Sequence, residues 1–102
     1  MADRNAPMTL RLLTPGGVSA ETPCDSVQLV LRDGVSGQGG GYIGIQRNHT
    51  PAVLALGQGT IRASLGQETV FLATAADGFA SVRDNVITVI TDSAVIEREE
   101  ND

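Results

Sequence analysis

In Thr60-Ile61-Arg62-Ala63-Ser64-Leu65-Gly66-Gln67-Glu68-Thr69-Val70-Phe71-Leu72-Ala73-Thr74, two runs of strand-forming residues flank a Gly-Gln pair. Ile61, Ala63 and Leu65 alternate with Thr60, Arg62 and Ser64, which leaves one face for solvent and marks a half-buried strand. The pattern continues downstream. Phe79 to Val82 and Val86 to Thr91 are expected strands, set apart by Asp77-Gly78 and Asp84-Asn85. Short strands with turn chemistry at regular intervals indicate an antiparallel sandwich or barrel. Val86-Ile87-Thr88-Val89-Ile90 is nearly all apolar, as a central strand requires.

Upstream of this stretch, Met8 to Thr14 has period-two character and is stopped by Pro15-Gly16-Gly17. Val18 to Pro23 reads as a short extended passage, and Asp25 to Leu31 as a strand. Tyr42 to Ile45 and Ala52 to Leu56 are further strands around a turn at Asn48 to Pro51. Residues 33–41 hold five glycines and read as a flexible loop. Residues 1–7 are expected to be disordered, 8–96 to form one domain, and 97–102 to be an acidic, solvated tail. No long helix is expected.

A chain of 102 residues supports one domain, burying roughly 60–70% of its unfolded surface. Hydrophobic residues make up 41% and aromatics only 3%, so the core must be built from Val, Ile, Leu and Ala. Seven arginines, no lysine and twelve acidic residues leave a net charge of −5. Such a chain repels phosphate backbones and anionic headgroups, so neither nucleic-acid nor direct lipid binding is expected. Membrane association would have to run through a protein partner. No apolar run approaches the ~20 residues that span a bilayer, and Met-Ala-Asp-Arg-Asn lacks the apolar core of a secretory signal. Cys24 is alone, which excludes an intrachain disulfide and fits a reducing cytoplasm.

One histidine, one cysteine and no lysine leave little for catalysis. Neither Cys-x-x-Cys nor His-x-x-x-His occurs, so no metal, cofactor or catalytic residue is expected. Cys24 and His49 could in principle form a thiolate dyad, but nothing else supports a nucleophile site. Gly37-Gln38-Gly39-Gly40-Gly41 lacks the Lys-Ser/Thr of a phosphate-binding loop and has no helix after it. It reads as a linker or hairpin tip. His49 either ties down its own turn or offers a partner contact. Glu99 and Glu100 read as solvating charge. Sugar sites want exposed aromatics, and only Tyr42, Phe71 and Phe79 are present, so a small-ligand or carbohydrate-binding sandwich ranks as the alternative. A cupin-type enzyme needs several histidines.

Gly41-Tyr42-Ile43-Gly44-Ile45-Gln46-Arg47-Asn48-His49-Thr50-Pro51, followed by Gly59-Thr60-Ile61-Arg62, resembles the signature of the F-type ATP synthase epsilon family, called delta in mitochondria. There Gly-x-x-Gly-Ile, His-x-Pro and Gly-x-Ile-Arg recur at these spacings. The likeness runs over residues 8–96. It takes in Leu12-Leu13-Thr14-Pro15-Gly16-Gly17, Ser26-Val27-Gln28-Leu29, and Phe71-Leu72 with Asp77-Gly78 in the family's Gly-Gly position. It closes on Val86-Ile87-Thr88-Val89-Ile90-Thr91-Asp92-Ser93-Ala94. Each motif is weak alone; their order is specific.

The resemblance implies an all-β fold, a flattened antiparallel β-sandwich of about ten short strands. It also implies a non-catalytic rotor part joining the gamma subunit to the membrane rotor ring, at the cytoplasmic face of a bacterial inner membrane. Carried over by position, Tyr42 and Ile43 would face the ring, while Thr14, His49 and Thr50 would lie near gamma. An isolated domain would expose an apolar face meant for gamma, through which it could form a homodimer. Two departures matter. The chain stops about where the family's helical hairpin begins, so neither hairpin inhibition nor the ATP-binding Ile/Leu-Asp-x-x-Arg-Ala motif is expected of this polypeptide. Extra residues around Asp33–Gly40 suggest a variant lineage among alternate F-type ATPases, with the coupling ion, proton or sodium, left open.

Overall fold

A computed structural model describes residues 7–32 and 41–99. The expected disordered start (apart from Pro7), the glycine-rich loop (apart from Gly41) and residues 100–102 lie outside the described residues. Among the described residues ten strands form: β1 (Met8–Thr14), β2 (Gly17–Cys24), β3 (Ser26–Val30), β4 (Tyr42–Gln46), β5 (Ala52–Leu56), β6 (Gly59–Leu65), β7 (Glu68–Ala75), β8 (Gly78–Arg83), β9 (Val86–Thr91) and β10 (Ala94–Glu99). They build two five-stranded sheets, ordered β2-β1-β9-β8-β5 and β10-β7-β6-β3-β4. This is the β-sandwich expected, and no helix able to cross a membrane occurs among the described residues.

Two details differ from expectation. β1 and β9 pair parallel, Leu10 opposite Ile87 and Leu12 opposite Val89, while the other pairings are antiparallel. Most of the chain separates them, so no hairpin dictates their direction. The second detail is β10. Glu97, Arg98 and Glu99 of the expected solvated tail complete this strand, with Arg98 opposite Leu72 and Glu99 opposite Phe71. An edge strand needs no apolar stripe when its ladder and side chains hold it. Thr74 Oγ1 donates to Glu97 Oε2 at 3.1 Å, and Arg98 Nε donates to the Thr69 carbonyl at 2.9 Å.

Between the sheets lie Leu10, Leu12, Val27, Leu29, Ile45, Phe71, Ile87 and Val89, all essentially solvent-free. Alternation dictates most of this list, since every second residue of a sandwich strand points inward. Val70 and Phe71 break it by being buried in succession. The register with β6 shifts between Ala63 and Ser64, and this bulge turns both side chains inward. β9 sits at the middle of its sheet, as its apolar run predicts.

The register defines two ends. Thr14, Gly17, Leu56, Gly78 and Thr91 finish at one; Met8, Cys24, Ala52, Arg83 and Val86 finish at the other. At the second end, Asp84 and Asn85 take φ of 53° and 64°, the paired left-handed conformation of a type I′ hairpin. Asn85 also ties three elements together. Its Oδ1 accepts from the Asn48 amide at 2.7 Å, and its carbonyl accepts from the Thr9 amide at 3.0 Å. At the first end, the buried Thr91 hydroxyl lies 2.9 Å from the Ala76 carbonyl, 3.3 Å from that of Asp77 and 3.2 Å from that of Ser93. It thereby binds the β7–β8 turn to the β9–β10 turn.

Cys24 is completely buried, and desolvation, aided by the charge of Asp25, pushes its thiol from 9.0 up to about 12. The thiol form therefore favours the folded state below pH 9, and this stability is lost as pH rises from 9 towards 12. We expect no reaction of the folded protein with a thiol-exchange reagent at neutral pH, and full reaction after denaturation. Rapid labelling of the native chain would contradict the burial.

Candidate functional site

Of the exposed large hydrophobics among the described residues, Val53, Phe79 and Ile90 belong to the β2-β1-β9-β8-β5 sheet, and Tyr42, Val95 and Ile96 to the other. Phe79 follows Gly78 in β8, where Ala80 and Val82 turn inward and Phe79, Ser81 and Arg83 turn outward. In β9 the same alternation buries Ile87 and Val89 and leaves Ile90 outside. Register then lines up Leu13, Ile90, Phe79 and Ala55 in one row across four strands. Phe79 is 50% exposed, Ile90 52%, and Val53, one outward position further along β5, 76%. The next row, Arg11, Thr88, Ser81 and Val53, is mostly polar. There Arg11 and Glu21 form an ion pair at 3.1 Å. The apolar stripe thus lies towards the Thr14 end.

A cleft of about 300 Å³ opens beside it, between Arg32, Asp77, Phe79, Ile90, Thr91 and Asp92. The Arg32 guanidinium carbon sits 5.1 Å from the centre of the Phe79 ring, and Nη2 donates to the Gly78 carbonyl at 3.2 Å. Arg32 so anchors the chain just after β3 against the neighbouring sheet.

The residues singled out from sequence do not converge. Thr14 closes the β1–β2 hairpin, its Oγ1 2.9 Å from Ser19 Oγ. Tyr42, 65% exposed, begins β4 opposite Val30, and Ile43 beside it is half-buried against the core. Both belong to the Thr14 end, on the other sheet. His49 and Thr50 stand at the opposite end, in the turn before β5. The His49 Nδ1–H donates to the Thr50 carbonyl at 2.7 Å and its amide to the Gln46 carbonyl at 3.2 Å. His49 therefore ties down its own turn, one of the two roles its position suggested. A partner touching both Thr14 and His49 would have to lie along the whole strand length, about 20 Å.

The thiolate dyad is overturned by chemistry. Cys24 is completely buried, and burial pushes its thiol up to about 12, which keeps it in the thiol form at neutral pH. Among the described residues, no three His, Cys, Asp or Glu side chains gather as a metal site would need. Sequence reasoning missed Phe79, Ile90 and Val53 as surface residues. The signal existed in Phe79-Ala80-Ser81-Val82-Arg83, where Phe79 shares its parity with Ser81 and Arg83.

Residues 7–97 match the family described as the ATP synthase delta/epsilon chain, β-sandwich domain. The ATP synthase epsilon chain of Magnetococcus marinus is 37% identical over 71 residues, covering 70% of this chain and 48% of that one. That of Staphylococcus aureus is 30% identical over 92 residues, covering 90% and 63%. The chain therefore spans less than two thirds of these curated relatives. Among solved structures, a chain of the Euglena gracilis mitochondrial ATP synthase superposes with a TM-score of 0.71 at 21% identity, covering 87% of this chain and 52% of that chain. One from the Tetrahymena thermophila mitochondrial ATP synthase central stalk and c-ring gives 0.66 at 15% identity, covering 87% and 66%. At such identities the superpositions speak for the fold. The match across nearly the whole chain settles its kinship: it belongs to the ATP synthase delta/epsilon family, as a β-sandwich domain.

Proposed function

We propose that this chain is a non-catalytic part of the central stalk of an F-type ATP synthase or ATPase, joining the gamma subunit to the membrane rotor ring. The observation that carries the reading is the row Leu13, Ile90, Phe79 and Ala55, an apolar stripe left outside a core that is complete without it. Exposed apolar side chains in a row mark a protein-binding face. Gamma would lie against this stripe, with Thr14 at its margin and His49 and Thr50 reached only by a contact running the length of the sheet. Tyr42, Ile43 and the neighbouring loops would face the ring. The Tetrahymena neighbour comes from a central stalk and c-ring assembly, which supports a stalk setting for this chain.

On this reading the chain is a peripheral subunit at the cytoplasmic face of a bacterial inner membrane, held there by protein contacts, and it carries out no reaction itself. When isolated, it would pair with a second copy through the same stripe. The carbohydrate-binding alternative is not favoured, because the exposed aromatics Tyr42 and Phe79 stand on different sheets.

Cross-linking in the assembled enzyme tests the orientation. With Cys24 buried, a cysteine introduced elsewhere is the reactive thiol of this chain. Val53→Cys should cross-link to gamma and Tyr42→Cys to the ring subunits. Failure of both in an intact complex would overturn the assignment.

A further inference from the structure

We infer that the cleft at the end of the apolar stripe receives a long basic side chain, arginine or lysine, from the protein that docks on the stripe. The inference rests on the docking reading above and adds the chemistry of one contact. Phe79 and Ile90 are paired across β8 and β9 and form an apolar floor, each about half exposed. Asp77 and Asp92 stand on the rim, one just before β8 and the other just after β9. Because Gly78 pairs with Thr91, the two aspartates flank the same rung of the ladder. The Thr91 hydroxyl fixes the two turns relative to each other, so the carboxylates are presented by a built framework.

Among the described residues, no hydrogen bond or ion pair engages either carboxylate. Arg32, the cation among the described residues that line the cleft, already lies over the Phe79 ring and donates to the Gly78 carbonyl. Two free carboxylates against one engaged guanidinium leave the cleft acidic, on a chain of net charge −5. An apolar floor with an acidic rim is the complement of an aliphatic stem ending in a positive charge. Docking on the stripe would exclude water from the rim and strengthen that charge pairing. A partner carboxylate would instead meet two like charges, and an apolar side chain would leave both aspartates unpaired as water withdraws.

The test compares titrations of gamma into the parent chain, the double variant Asp77→Asn with Asp92→Asn, and the control Asp84→Asn, at low and high salt. Asp84 carries the same charge at the far end of the sheet. We expect the double variant to bind about tenfold more weakly at low salt, with the gap closing as salt rises, and Asp84→Asn to bind like the parent. Equal binding by the double variant, or an equal loss in Asp84→Asn, would overturn the cleft assignment while leaving the docking face standing. A flat titration with the parent chain would remove the docking reading and the cleft contact together.

Discussion

Gly78→Ala should destabilise the domain by about 3 kcal/mol or more, a fall in melting temperature of more than about 10 °C for a chain of this size. Gly78 opens β8 opposite Thr91, and a Cβ at this position would overlap the carbonyl oxygen of Ile90. That obstacle is backbone within the sheet ladder, so no rotamer change relieves it. Either the strands part, losing the pairings that begin at Gly78–Thr91 and Phe79–Ile90, or the β7–β8 turn is rebuilt. Rebuilding would pull the Ala76 and Asp77 carbonyls away from the Thr91 hydroxyl, leaving that buried group only the Ser93 carbonyl at 3.2 Å. Gly44→Ala is the control. Gly44 is exposed on β4, and nothing lies within 4 Å of an added Cβ, so its melting temperature should stay near that of the parent. Thermal unfolding followed by circular dichroism checks both, and equal melting of the two variants would contradict the argument.

Phe79→Asp combined with Ile90→Asp should abolish binding to gamma and leave the domain folded. Both side chains are already half in water, so replacing them removes little buried area from the monomer. At a docked interface the balance reverses. Each carboxylate would have to shed its water against an apolar surface, and the aromatic anchor would be gone. Truncation of interface anchors costs upwards of about 2 kcal/mol each, and opposing charge adds to that, so affinity should fall by at least about a thousandfold. The two variants bear on different properties: Gly78→Ala attacks the sheet ladder, while the two Asp substitutions act on the displayed face and cost the scaffold the Arg32–Phe79 contact.

Much of this fold is legible in the sequence because its strands alternate cleanly and its turns carry their own chemistry. Asp84-Asn85 calls for a hairpin, and both residues adopt the left-handed conformation that such a hairpin needs. β10 escaped because Ala94 to Glu99 has no alternation to read: it is an edge strand recognised only by the ladder of β7 and by Thr74 and Thr69. The docking stripe was half visible. Val86-Ile87-Thr88-Val89-Ile90 correctly signals a central strand, yet the outward turn of Ile90 depends on this sheet being covered on one face only. The cleft was not visible at all, since it unites Arg32 with residues more than forty positions later through the meeting of two sheets. The resemblance puts Thr14 and His49 both near gamma, yet they stand at opposite ends of the sandwich, because spacing in sequence says nothing about which end of a strand a residue occupies.

Calorimetric titration of this chain with the gamma subunit of its own complex tests the central claim most directly. The account predicts saturable 1:1 binding by the parent chain and no measurable binding by the Phe79→Asp, Ile90→Asp variant, with both proteins folded. A parent chain that does not bind, or a variant that binds as tightly as the parent, would contradict it.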